Sequence, residues 1–331
     1  MKEYGGYFEL ETFRNSMLHD NALALNCGRK CFEYLIKARN IKRIKMPYYM
    51  CDCVFNAAEK HGVEISYYSV GKDFRPIITE LKDDEWLYVM NYYGQLTSEC
   101  LAELKKIYKR IIIDNAQAYF DMPIPDTDTL YTCRKFFGVA DGAFLYTNSE
   151  LDDDLPIDES FERMHFVLGR YERTASEFYL ESAENNEFFT QEPIKKMSKL
   201  TNNLLHAIDY SFVAKRRTDN FRKYHEVLGE INQLELRVPE GAFAYPLMID
   251  NGFEIRKELQ QKKIYIPILW PNVIKDTAED NLDYKFTTNI LPLPCDQRYE
   301  LTDIEYIIKL ISERLNYEYK RKNSNIKSYD L

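Results

Sequence analysis

Ile111-Ile112-Ile113-Asp114-Asn115-Ala116-Gln117-Ala118 runs from three β-branched apolar residues into a carboxylate and then into small and polar positions. Such a run predicts a short buried strand, Arg110 to Asp114, with Asp114 at its carboxyl end. In open α/β sheets ligands sit beyond the carboxyl ends of strands, where a carboxylate can ion-pair with a cationic ligand atom. Taken alone, Asp114 reads equally well as the cap of the turn that follows the strand.

Outward from this stretch, strand and helix signals alternate. Upstream, Asn21 to Ala38 reads as a helix with Asn26 as its cap, and Ile41 to Pro47 as a strand. Cys51 to His61 reads as a helix closed by Gly62, and Val63 to Val70 as a strand. Trp86 to Tyr93 is an apolar run ended by Gly94, and Ser98 to Tyr108 an amphipathic helix. Downstream, Leu130 to Thr132 and Gly142 to Thr147 are further strands. Strands separated by helices imply a mostly parallel sheet covered on both faces. After Asn148 long helical patterns follow, Thr174 to Glu184 and Pro193 to Leu236. Strand signals then return at Ala242 to Asp250, Ile264 to Leu269 and Ile290 to Leu293, and a helix from Asp303 to Tyr317 closes the pattern. The expected organisation is a large α/β domain over 1–200, a smaller α+β domain over 201–320, and a polar tail over 321–331.

The composition of the 331 residues is that of a folded chain, with 45% apolar and 29% charged side chains. The net charge of -9 argues against a polymeric nucleic acid as partner. Seven cysteines, an odd number in a chain this long, read as reduced thiols. Cys51-Asp52-Cys53 and Cys27…Cys31 lack a second Cys or His pair at zinc spacing, so no metal is expected. The polar N-terminus carries no apolar signal core and no window suits a membrane span, which predicts a cytoplasmic protein.

Two more segments carry chemistry. In Tyr131-Thr132-Cys133-Arg134-Lys135-Phe136-Phe137-Gly138 a strand runs into a loop that continues to Asp141-Gly142-Ala143. Lys135 stands beside two aromatics, and a desolvated lysine amine is a competent Schiff-base former; the bland alternative is a lysine snorkelling from a loop. In Asn26-Cys27-Gly28-Arg29-Lys30 a helix begins, and its free N–H groups suit a phosphate, with Gly28 allowing close approach.

The combination resembles the DegT/DnrJ/StrS family of pyridoxal-phosphate-dependent aminotransferases, of fold type I. The family's aspartate motif is similar to Ile113-Asp114-Asn115-Ala116-Gln117-Ala118. The resemblance implies that Asp114 partners the pyridine nitrogen of pyridoxal 5'-phosphate (PLP) and that Gln117 lies near its phenolic oxygen. It implies Lys135 as the Schiff-base lysine, Thr132 as a phosphate contact, and Gly28, Arg29 and Lys30 as the phosphate turn. The family's aromatic over the cofactor ring aligns with Cys51; Tyr49 is the nearby side chain that offers a stacking face. The family's cross-subunit asparagine falls at Tyr171, leaving Arg170 or Arg173 in its place. A homodimer, an amino-acid donor such as glutamate, and a keto-acceptor such as a nucleotide-linked keto-sugar are further implications. The competing expectation is a lyase, a dehydratase or a catalytically quiet regulatory relative on the same fold. Arg298 reads as a carboxylate clamp or as a surface ion pair.

Overall fold

The computed structural model describes residues 4–152 and 154–326, with side chains in the last helix as far as Leu315. Eight strands form one sheet: β1 (Leu23–Leu25), β2 (Arg43–Pro47), β3 (Glu64–Val70), β4 (Pro76–Ile77), β5 (Trp86–Met90), β6 (Ile111–Asp114), β7 (Asp128–Thr132) and β8 (Ala143–Tyr146). Their order is β1-β8-β7-β6-β5-β2-β3-β4. β3, β2, β5, β6 and β7 are parallel neighbours, whereas β8 runs against β7 and β1, and β4 against β3. Ile111, Ile112 and Ile113 are at most 1% exposed, which accounts for the unbroken apolar run. Each such side chain contributes roughly 2 kcal/mol through its transfer from water. Helices α1 (Gly28–Ala38), α2 (Asp52–Lys60) and α3 (Ser98–Ile107) connect the strands.

The second half is built from α4 (His165–Glu172), α5 (Tyr179–Gln191), α6 (Lys199–Leu205), α7 (Tyr210–Leu228), α8 (Gly252–Gln261), α9 (Val273–Asp276), α10 (Leu282–Asn289) and α11 (Leu301–Ile326). A two-stranded antiparallel sheet, β9 (Tyr245–Met248) with β10 (Ile290–Leu293), accompanies them. Phe221, Tyr224, Leu228, Tyr245, Ile255, Leu291 and Ile304 form a second core here.

Several boundaries differ from the sequence expectations. The helix expected from Asn21 begins only at Gly28, because Leu23–Leu25 pairs with β8 as an edge strand. Asn26 does not cap it: its carbonyl accepts the Gly142 amide at 2.7 Å, and Cys27 takes the cap position without a side-chain bond. The pattern from Pro193 to Leu236 is two helices, each started by a side-chain cap, Ser198 on the Thr201 amide and Asp209 on the Phe212 amide. The pattern from Thr174 begins as a helix at Tyr179. Ile264 to Leu269 is not a strand; Pro267 within it has no N–H to give a ladder. The final helix continues past Tyr317 to Ile326, and the remainder of the expected tail, 327–331, lies outside the described residues.

Candidate active site

The carboxyl ends of β2, β5, β6 and β7 open on one edge of the sheet, and the chain beyond each supplies part of a site. Asp114 ends β6 and is 5% exposed. Its carboxylate accepts the Tyr88 hydroxyl at 2.8 Å and the Ala116 amide at 2.8 Å. Burial pushes the Asp114 carboxyl above the usual range, and the Lys135 ammonium, within electrostatic reach, opposes that rise.

Gln117 follows on the same loop and is buried. Its Oε1 accepts the Tyr93 amide at 2.9 Å, while Nε2 is buried with no partner. Tyr93 sits in the loop after β5 in the left-handed conformation, φ 52°.

Lys135 stands three residues beyond Thr132, the last residue of β7. Phe136 and Phe137 turn into a buried aromatic cluster with Tyr119, Tyr131 and Phe144. Lys135 itself is exposed, so those neighbours do not desolvate it as expected; the loop turns the two rings inward and leaves the amine outside. Its Nζ lies 5.6 Å from the Phe243 ring centroid. The loop is anchored by Asp141, whose carboxylate accepts the Ser198 amide and hydroxyl, each at 2.8 Å, and the Thr201 hydroxyl. Gly142 is required there, because its φ is +109° and a Cβ would come within 2.9 Å of Thr201 Cγ2.

Gly28 opens α1 next to this loop. A Cβ on it would meet Thr132 Cβ at 3.7 Å, an ordinary contact, so the glycine leaves a shallow recess between the helix start and Thr132. With no side-chain cap on this end, the first amides of α1 suit an anion.

Three expected contacts are corrected. Lys30 is fully buried and pairs with Glu33 at 2.5 Å, because one residue of helix carries it to the covered face. Arg29 turns to α5, donating to Thr190 Oγ1 at 2.9 Å and to the Asn186 carbonyl. Tyr49 is 0% exposed and packed among Tyr92, Trp270 and Phe286, so it has no free face for a ring. Arg170 is exposed on α4, within electrostatic reach of Arg298, Asp296 and Tyr299. Arg298 is held by Asp296 through two bonds, 2.7 and 2.8 Å, which is the ion-pair alternative.

The structure also places two residues that sequence reasoning passed over, Arg134 and Phe243, and one that it had aligned with the ring-stacking position, Cys51. Arg134 donates to Asn186 Oδ1 at 2.5 Å and reaches Cys27 Sγ at 3.7 Å, and its Nε is buried without a partner. It stands between Lys135 and the start of α1, and its position next to Lys135 was the available signal. Cys51, half-buried, lies within electrostatic reach of Lys135 and 2.8 Å from Cys53 Sγ. The Cys53 thiol lowers the Cys51 pKa by hydrogen bonding to it, and Lys135 adds to the effect. Phe243 came to the site from far along the chain with no local motif.

Among the described residues no group of three or more His, Cys, Asp or Glu is placed to hold a metal, and no helix is long and apolar enough to cross a membrane. No protein-family model and no curated protein matches the chain. Solved structures do. DesV of S. venezuelae, in complex with a ketimine intermediate, is 14% identical over 88% of this chain and 84% of its own, with a TM-score of 0.63. The PMP form of Spr1654 from Streptococcus pneumoniae is 15% identical over 92% and 89%, with a TM-score of 0.64. The sugar aminotransferase CalS13 from Micromonospora echinospora is 14% identical over 88% and 87%, with a TM-score of 0.61. The α/β sheet with its helices therefore has the same fold as these solved aminotransferase structures.

Proposed function

We propose that the protein is a PLP-dependent aminotransferase that moves an amino group from an amino acid, glutamate being the expected donor, to a keto-substrate such as a nucleotide-linked keto-sugar. The observation that carries this reading is Asp114, a buried carboxylate at the end of β6 held by the Tyr88 hydroxyl and the Ala116 amide, with Lys135 on the loop that follows the neighbouring strand β7. The residues fit the cofactor. The buried, unpartnered Gln117 Nε2 is a donor in need of an acceptor such as the phenolic oxygen. The recess at Gly28, the uncapped start of α1, Thr132 and the unpartnered Arg134 Nε together suit a phosphate.

PLP, when bound, supplies an electron sink for carbanion chemistry at the substrate carbon. Asp114 would hold a proton on the pyridine nitrogen by charge, and its bonds from Tyr88 and Ala116 fix its orientation. Lys135 would anchor the cofactor, and its Nζ would hold or move a proton at the reacting centre. Phe136 and Phe137, buried behind it, hold the loop while leaving that amine free to move.

The neighbours bear on the same reading: one is a sugar aminotransferase and one is a PMP form. A homodimer belongs to it as well. α4 and α5 expose Leu168, Tyr171, Tyr179 and Leu180, which suit burial against a second copy, with Arg170 beside them. Arg173 is engaged with Glu177. Light scattering tests the assembly. Incubating the purified protein with PLP and glutamate tests the function: the bound cofactor's absorbance should convert to that of its amine form with release of 2-oxoglutarate. A cofactor band that glutamate and other amino acids leave unchanged would overturn the aminotransferase reading.

A further inference from the structure

Cys51 and Cys53 lie where the chain enters α2, shortly after the carboxyl end of β2. Their sulfurs are 2.8 Å apart. A disulfide bond is about 2.05 Å long, so closing one requires the two sulfurs to approach by less than about 1 Å. Both side chains are half-buried, whereas Cys27, Cys31, Cys100, Cys133 and Cys295 are at most 4% exposed. Cys51 and Cys53 are therefore the two thiols of the chain most open to an external reagent.

The surroundings give the two sulfurs different roles. Cys51 is the residue before the first turn of α2, and no side chain accepts from the amides of that turn, so the helix start favours a thiolate there. The hydrogen bond between the two thiols lowers the Cys51 pKa and raises that of Cys53. Lys135 lowers Cys51 further, while burial and Asp52 oppose. Cys51 is thus the sulfur that carries negative charge, and Cys53 the one that keeps its proton. Cys53 and Arg29 line a cavity of about 380 Å³ between α1, α2 and α5, which brings a small solute to the pair.

We propose that Cys51 and Cys53 are a reversible dithiol–disulfide site, oxidised by hydrogen peroxide, with Cys51 as the attacking sulfur and Cys53 as the resolving one. The Cys51 thiolate attacks one peroxide oxygen and the O–O bond breaks. The other oxygen leaves as hydroxide and takes up the proton that Cys51 had released, giving water and a Cys51 sulfenic acid. The Cys53 sulfur then attacks the Cys51 sulfur and the S–O bond breaks. Hydroxide leaves with the Cys53 proton as a second water. Two thiols have given two electrons to one peroxide. A dithiol reductant restores the pair by exchange through a mixed disulfide.

The test uses the full chain without PLP, so its outcome is independent of the aminotransferase reading. Wild type is treated briefly with a small excess of hydrogen peroxide, alkylated with iodoacetamide, digested with trypsin and mapped by mass spectrometry. The peptide 46–60, which holds both cysteines, should be lighter by two hydrogens and unalkylated, and prior treatment with dithiothreitol should restore both alkylation sites. In Cys53→Ser the sulfenic acid has no resolving thiol, so dimedone should trap it on Cys51, with little trapping in wild type. In Cys51→Ser, Cys53 should stay reduced and alkylatable over the same exposure. All seven thiols remaining alkylatable in oxidised wild type would overturn the proposal. A first disulfide that joins Cys53 to Cys27, or oxidation of Cys51→Ser at the wild-type rate, would also overturn it. The wild-type map needs no variant, so a substitution that failed to fold would leave the test standing.

Discussion

The Tyr93 amide donates to Gln117 Oε1 at 2.9 Å, and this one bond fixes which end of the Gln117 amide is which. Only the oxygen can accept it, so the nitrogen must point the other way, where it is buried without an acceptor. Gln117→Glu keeps the acceptor for Tyr93 but cannot donate. The variant should fold as wild type and bind PLP about tenfold more weakly, at the upper end of one hydrogen bond's net worth. A fluorescence titration with PLP checks it, and unchanged affinity would remove Gln117 from the site.

Asp114 is buried with a raised pKa, so its ionised form is disfavoured by the fold. For an acid of this kind the stability contribution is present at low pH and lost as pH rises from the unfolded value through the raised folded one. Asp114→Asn should therefore melt no lower than wild type at pH 7. Its half-transamination rate should fall on the order of a hundredfold or more, as when a charge stabiliser is lost from a site. A collapsed melting point with activity retained would mean that Asp114 serves only the turn.

Cys51 is half-buried, and the Cys53 thiol and Lys135 both lower its pKa, whereas burial pushes Cys31, Cys133 and Cys295 up. Because the thiolate is the reactive form, iodoacetamide should label Cys51 first. Peptide mapping after brief labelling reads this out, and PLP should slow it. First labelling at Cys100 or Cys295 would contradict the placement.

His19 is 0% exposed and hydrogen-bonded to the Tyr119 carbonyl at 2.9 Å and the Tyr146 hydroxyl at 3.1 Å. Burial lowers its pKa to about 4 from 6.5. The neutral ring is favoured by the fold, so stability is present above the unfolded pKa and lost as pH falls from 6.5 towards 4. The full loss is roughly 3 kcal/mol by the linkage constant. Melting curves at pH 7 and pH 4.5 should therefore differ more for wild type than for His19→Gln, and equal slopes would refute it.

The fold was legible where periodicity and punctuation agree. The triple isoleucine gave a buried central strand, and the alternation around it a parallel sheet. The signal failed where tertiary pairing overrides local pattern: Leu23–Leu25 is a strand only because β8 lies beside it. Within the proposed site, Asp114, Gln117, Thr132, Gly28 and Lys135 could be singled out because each sits on a short chain motif at an element end. Side-chain direction was not readable. Lys30 and Tyr49 share neighbourhoods with site residues yet face the core, and one step along a helix or loop decides that. Phe243 arrives from distant sequence, 5.6 Å from Lys135 Nζ, and no local pattern marks it.

The most direct measurement is chemical trapping of the cofactor. The purified protein is incubated with PLP, reduced with borohydride, digested and mapped by mass spectrometry. The pyridoxyl group should be found on Lys135 and should vanish in Lys135→Ala, with the rest of the peptide map unchanged. A pyridoxyl group on another lysine, or on none, would contradict the assignment of Lys135 and with it the proposed site.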